Sequence, residues 1–183
     1  VDSTTLEVCD PHRIYSHRVF SGLAARGKSS TGWFYGFKLH LAINDRGEIL
    51  AFCLTSGNVD DRNWKVLDRL TREMYGKLFA DRGYLSSSLF EKLWERKIQL
   101  ITKLKKNMKN KLMNYTEKLL LRKRAVIESV NDFLKNICQI EHSRYRSVSG
   151  FFINVISALV AYSFLPNKPS VGLFPHAQDL SVL

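Results

Sequence analysis

Asp2, Asp81 and Glu128 are the residues whose type and surroundings carry chemistry. Asp2 stands in Val1-Asp2-Ser3-Thr4 and Asp81 in Phe79-Ala80-Asp81-Arg82-Gly83-Tyr84. Each follows a short apolar run that reads as a strand, although only Val1 of the first run is present. Glu128 follows Arg124-Ala125-Val126-Ile127 in a long helical pattern, with Lys135 seven residues beyond it. Hard divalent cations such as Mg²⁺ take carboxylate oxygens and retain some of their waters, so a few converging acids can hold a metal pair against phosphate. The chain around these acids is strongly basic, with 28 Lys and Arg against 17 Asp and Glu and a formal net charge of +11. Each neutralised phosphate releases counterions and adds sequence-independent affinity, so this excess points to a polyanionic partner. An acidic cluster inside a basic chain is what metal-assisted chemistry on nucleic acid requires.

Charge alone does not separate this class from ribosomal proteins or membrane-surface binders, so the elements that position the acids matter. A length of 183 residues with 45% apolar content supports one ordinary domain with a real core. Cys9, Cys53 and Cys138 are isolated and form neither a zinc spacing nor a disulfide framework, which suits a reducing cytosol. Nothing reads as a signal peptide. The longest apolar stretch, 151–164, is interrupted by Asn154 and Ser157 and is too short to span a bilayer. Because the first residues already belong to the candidate site, a preceding segment holding the rest of the first strand is expected.

Residues 5–32, rich in His, Arg, Ser and Gly, read as an irregular loop or hairpin. From Phe34 to Asn44, Phe34, Gly36, Lys38 and His40 alternate with Tyr35, Phe37, Leu39 and Leu41, which is a strand pattern. Asn44-Asp45-Arg46-Gly47 is turn chemistry, and 49–54 is the returning strand of a hairpin. Asp60-Asp61 is placed to cap a helix that carries Trp64, Leu67, Leu70 and Met74. A buried strand over 77–80 ends at Asp81, with Gly83 allowing a sharp exit. Ser86 or Ser87 caps the next helix, with Leu89, Leu93 and Trp94 on its apolar side, and 98–104 supplies another strand. A basic connector over 103–111 leads to a long amphipathic helix, about 116–140, which carries Glu128. A last helix, about 148–164, is apolar nearly all round and is expected to be buried. Pro166, Pro169 and Pro175 block regular structure in the tail, which is expected to be poorly ordered. The pattern predicts an α/β domain over 1–165 and a tail over 166–183.

A lone aspartate most often caps a helix or sits in solvent. Here both strand contexts are apolar, and a turn or hydroxyl residue follows each aspartate. If the first strand and the 77–80 strand are neighbours in a mixed sheet, Asp2 and Asp81 meet at one edge, with Glu128 approaching from the packed helix. Asp132, one turn after Glu128, is the rival third acid.

Four segments together resemble the catalytic domain of bacterial insertion-sequence DDE transposases. They are Asp2-Ser3-Thr4, Gly32-Trp33-Phe34-Tyr35-Gly36-Phe37-Lys38-Leu39-His40, Thr55-Ser56-Gly57-Asn58-Val59-Asp60-Asp61-Arg62 and Ala80-Asp81-Arg82-Gly83-Tyr84. The likeness covers residues 1 to about 165 and is greatest to the insertion-sequence family numbered 982. It implies an RNase H-like mixed sheet flanked by helices and a metal triad carried over to Asp2, Asp81 and Glu128. It implies two Mg²⁺ ions, which Mn²⁺ can replace, roughly 3.5–4 Å apart, with Asp2 bridging them and Asp81 and Glu128 each holding one. The activity implied is cleavage at element ends followed by 3′-hydroxyl attack on target DNA. Partners implied are double-stranded DNA and further copies of the chain assembled on it, in a bacterial cytoplasm at the nucleoid, with no membrane.

Many related transposases carry a Tyr, Arg, Glu, Lys signature on the helix of the third acid. Arg124, Glu128 and Lys135 match its spacing, and Leu121 stands where the tyrosine would be. The short connector before that helix leaves no room for an insertion domain. Arg124 and Lys135 share a helix face with Glu128, and their planned role is to grip DNA phosphates. Lys38, Lys103 and Lys105 are further DNA-binding candidates, and Lys106, Lys109 and Lys111 extend the basic run. His40 is expected to be structural or near DNA rather than a metal ligand. Trp33 could stack on an unpaired base, while Phe34, Tyr35 and Phe37 belong to the core. The rival function is a DNA-binding remnant that keeps the fold without catalysis, and a host RNase H-like nuclease is a third.

Overall fold

A computed structural model of the chain describes residues 1–30, 32–102, 121, 125–142 and 145–170. Its spine is strand β3, Gly32–Ile43, buried on both faces over most of its length. Strand β1, Asp2–Cys9, pairs antiparallel along one side of β3, with Asp2 opposite Leu41 and Leu6 opposite Phe37. The other side of β3 takes β2, Ala25–Ser29, near its start and β4, Ile49–Ser56, along the rest. Strands β5, Gly76–Ala80, and β6, Ile98–Thr102, run parallel to each other. The amino group of Val1 donates to Phe79 O at 2.6 Å, which brings the head of β1 beside β5.

Side chains alternate across a strand, and this divides the core in two. Tyr35, Phe37, Leu39 and Leu41 face one cluster with Leu6 and Val8 of β1. Helix α3, Ala125–Asn136, adds Ile127, Val130 and Leu134 to it, and helix α4, Val148–Ser163, adds Phe151, Val155 and Leu159. Phe151 is the hinge of this packing, 4.8 Å from the Phe37 ring and 5.3 Å from that of Phe20. Each such fully buried ring stabilises the fold by about 1.5–3 kcal/mol relative to exposure. On the opposite face, Ala42 and Cys53 pack against Val66, Leu67 and Leu70 of α1, Trp64–Leu70, in one cluster with Leu89 and Leu93 of α2, Ser87–Glu95. Helices therefore flank a central antiparallel sheet on both faces, and the parallel β5–β6 pair forms a separate two-stranded sheet instead of joining it in one mixed sheet. The α/β arrangement is consistent with an RNase H-like architecture.

Four details depart from the sequence pattern. Residues 5–32 are not irregular throughout: β1 runs on to Cys9 because Leu6 and Val8 alternate with Glu7, and Pro11–Ser16 and β2 follow. Asp60 and Asp61 do not cap α1, since Asn63 Oδ1 accepts from Lys65 N and the helix begins only at Trp64. Helix α4 is not buried all round, because the sheet covers only one stripe and leaves Phe152, Ile153, Ile156 and Val160 exposed. Trp94 is likewise exposed and stacks on Phe90. The expected hairpin turn is present and depends on Gly47, whose φ of 73° favours glycine. A Cβ there would lie 2.1 Å from Pro169 O, and the Gly47 carbonyl accepts from Tyr162 Oη at 2.7 Å. Residues 171–183, most of the proline-containing tail, lie outside the described residues, as do 103–120.

Candidate active site

The head of β1 lies beside β5, and the charges of Asp2 and Asp81 both act on the phenol of Tyr84. Asp81 precedes a single 3-10 turn, Arg82–Tyr84, and its side chain does not cap that turn. The turn drives Tyr84 inward until it is 2% exposed. Burial, followed by the charges of Asp61 and Asp2 and, more weakly, of Asp81, pushes its phenol far above the ordinary range. Ser3 lies near enough to oppose this shift but not at hydrogen-bond geometry, so among the described residues Tyr84 Oη has no hydrogen-bond partner.

Asp61 organises the polar side of this neighbourhood. Its Oδ1 accepts from Ser3 Oγ at 2.9 Å and pairs with Lys38 Nζ at 3.2 Å. Lys38 also donates to Val59 O at 3.0 Å. His40, on the same face of β3 as Lys38, is 0% exposed and shares a 2.9 Å hydrogen bond between Nε2 and Thr55 Oγ1. Its Nδ1 has no hydrogen-bond partner, with Asp61 Oδ1 3.9 Å away. Burial pulls its pKa down to about 4 against the opposing pull of Asp61, so the ring is neutral at pH 7. Sequence reasoning placed Asp61 at a helix cap and missed this role. Its partners come from β1 and β3, and no local pattern encodes that meeting.

Helix α3 reaches the site through a residue the sequence reading did not single out. Asn131 Nδ2 donates to Asp2 Oδ2 at 3.5 Å, the long limit of a hydrogen bond, and Asn131 Oδ1 is buried without a hydrogen-bond partner among the described residues. Glu128 lies one turn before Asn131, which puts both on the helix face nearest Asp2. Its carboxylate is exposed. Asp132 is also exposed, and it accepts from Asn136 Nδ2. Lys135 is paired with Glu141 Oε2 at 2.8 Å, and Glu141 Oε1 accepts from Glu7 N, so this lysine ties the end of α3 to β1. Arg124, Lys103 and Lys105 lie outside the described residues.

The candidate donors are all oxygens: the carboxylates of Asp2 and Asp81, the buried Asn131 Oδ1 and, one turn before Asn131 on α3, that of Glu128. Such a set suits a hard divalent cation and not a soft one. Among the described residues, no group of three or more His, Cys, Asp or Glu side chains is gathered closely enough to hold an ion. In donor type the set fits the cation. No helix of the described residues is long and apolar enough to cross a membrane.

Residues 1–148 match the family described as the transposase DDE domain. No curated protein and no solved structure matches the chain.

Proposed function

The chain belongs to the transposase DDE domain family, and we propose that it is the catalytic domain of a cut-and-paste DNA transposase of the insertion-sequence family numbered 982. The observation that carries this reading is the 2.6 Å hydrogen bond from Val1 N to Phe79 O, which sets the strand that carries Asp2 beside the strand that ends at Asp81. Asp2, Asp81 and Glu128 would hold two Mg²⁺ ions, with Mn²⁺ as a substitute. When bound, such a pair lowers the pKa of the attacking water or 3′-hydroxyl and neutralises charge on the leaving oxygen.

The protein's own part is positioning. Asp61 holds Ser3, the residue after Asp2, and also Lys38, which faces the adjoining cleft. Asn131 steadies Asp2 from α3. Lys38, Lys135, Arg124, Lys103 and Lys105 grip phosphates of element-end and target DNA, on which further copies of the chain assemble. First, water breaks a phosphodiester at the element end and leaves a 3′-hydroxyl. That hydroxyl then attacks a target phosphodiester, exchanging one P–O bond for another. No serine or tyrosine nucleophile and no protein–DNA covalent intermediate take part.

A nicking assay on element-end DNA with titrated Mg²⁺ tests this. Asp2→Asn, Asp81→Asn and Glu128→Gln should each remove cleavage, and Asp132→Asn should keep it. That no group of three or more His, Cys, Asp or Glu side chains is gathered to hold an ion among the described residues favours a second reading, a DNA-binding remnant without catalysis. Wild-type chain that binds element-end DNA but never nicks it, with either Mg²⁺ or Mn²⁺, would establish the remnant.

A further inference from the structure

Beside the acids lies a cleft of about 700 Å³ whose most unusual wall is Trp33. This tryptophan, at the start of β3, is 61% exposed. Lys28, its partner across the β2–β3 ladder, places Nζ 5.7 Å from the ring centroid. The floor is bare backbone. A Cβ on Gly27 would meet Gly57 O at 2.2 Å and the Phe34 ring at 2.6 Å, so neither chain nor solvent-facing side chain can rise there.

The charges around the cleft are not all neutralised. Asp60 takes Arg62 at 2.7 Å, and Asp61 takes Lys38 at 3.2 Å. Arg26, Lys28 and Arg82 line the same cleft, are exposed, and have no carboxylate partner among the described residues. Arg82 directly follows Asp81, so the cleft adjoins the proposed cleavage site. An exposed indole with an ammonium beside it, arginines without a carboxylate partner and a side-chain-free floor are the chemistry that receives a base with its phosphates. Bases within a duplex stack on one another and offer no free face. The volume falls within the ordinary range for small-ligand sites, roughly 300–1,000 Å³.

We propose that this cleft binds one unstacked nucleotide of the DNA strand passing the acids, its base against Trp33 and its phosphates on Arg26 and Arg82. The inference rests on the DNA-binding part of the function above and is independent of cleavage.

The test uses the 183-residue chain in EDTA, so that binding is read without catalysis. Anisotropy of a labelled oligonucleotide is compared for a single strand, a fully paired duplex and a duplex carrying one unpaired nucleotide. Trp33→Ala should weaken the single strand and the bulged duplex by about 5- to 150-fold, the loss expected for one base–aromatic stack. The paired duplex should change less than about twofold by the same principle. Trp33→Phe should restore most of the affinity, and Trp94→Ala, an exposed tryptophan on α2, should change nothing. Arg82→Ala, which leaves the platform intact, should reduce the single-strand salt slope by about 0.7. Equal weakening of all three DNAs by Trp33→Ala, or an unchanged single-strand affinity, overturns the proposal. A wild-type chain that nicks DNA while Trp33→Ala binds normally sinks the cleft alone. A chain that never nicks but whose single-strand binding depends on Trp33 sinks the catalytic reading and upholds the cleft.

Discussion

Ser3 donates its hydroxyl to Asp61 Oδ1 at 2.9 Å, tying the residue beside Asp2 to the loop that precedes α1. The same oxygen faces Lys38 Nζ, so one carboxylate links β1, β3 and that loop. Positioning of Asp2 therefore depends on a residue 59 positions away in the chain.

Asp61→Asn keeps an amide oxygen for Ser3 but removes the charge opposite Lys38. The Lys38 side chain is only 13% exposed, and its ion pair is reduced to a hydrogen bond from the ammonium to a neutral amide oxygen, beside the one to Val59 O. Hydrogen bonds to charged groups contribute about 1.5–3 kcal/mol, and a loss toward the lower end is expected because Asp61 is partly solvated. Urea unfolding measures it. Wild-type stability in this variant would show that Asp61 does not hold the three elements together.

On the proposed mechanism Asp81→Asn should abolish cleavage while leaving DNA binding unchanged or tighter, since it would remove a metal donor and a negative charge near phosphate. Gel shift and nicking on one preparation decide the matter. Parallel loss of binding and cleavage would assign Asp81 a structural role.

Lys135 must leave Glu141 to reach a phosphate, so Glu141→Gln should free it. The glutamine retains an oxygen for Glu7 N and loses the competing charge. DNA affinity should rise on the order of threefold, and the duplex salt slope should steepen by about 0.9, the value of one further phosphate contact. Lys135→Ala on that background should cancel both gains. No gain from Glu141→Gln would mean that Lys135 serves only to fasten α3 to β1.

His40 gives the fold a pH dependence of defined sign. Its folded pKa is depressed from 6.5 to about 4, so between these values the unfolded chain binds more protons than the folded one. Stability contributed by the neutral ring is full above pH 6.5 and declines as pH falls toward 4, by on the order of 3 kcal/mol. His40→Gln should flatten the acid side of a stability profile measured by urea unfolding from pH 4 to 7.5. An unaltered profile would place the acid sensitivity elsewhere.

The sequence by itself determined the elements whose pattern is local. The alternation from Phe34 to Leu41 dictates β3, Asn44 to Gly47 dictates the hairpin turn, and the apolar run before Asp81 dictates β5, because side-chain period and turn geometry depend on near neighbours only. The acids Asp2, Asp81 and Glu128 stood out for the same reason, each in a recognisable short context. Only the tertiary structure decided that Asp61 serves Ser3 and Lys38 instead of a helix end, that Asn131 meets Asp2, and that Lys135 is held by Glu141. Apart from the Lys135–Glu141 pair, which closes the segment just after α3, these pairings join residues from separate parts of the chain. Distance between them is set by how the sheet and helices pack, which no spacing along the chain records. The half-exposed α4 makes the same point: its composition is apolar on every side, but one sheet face can cover only one stripe of a helix.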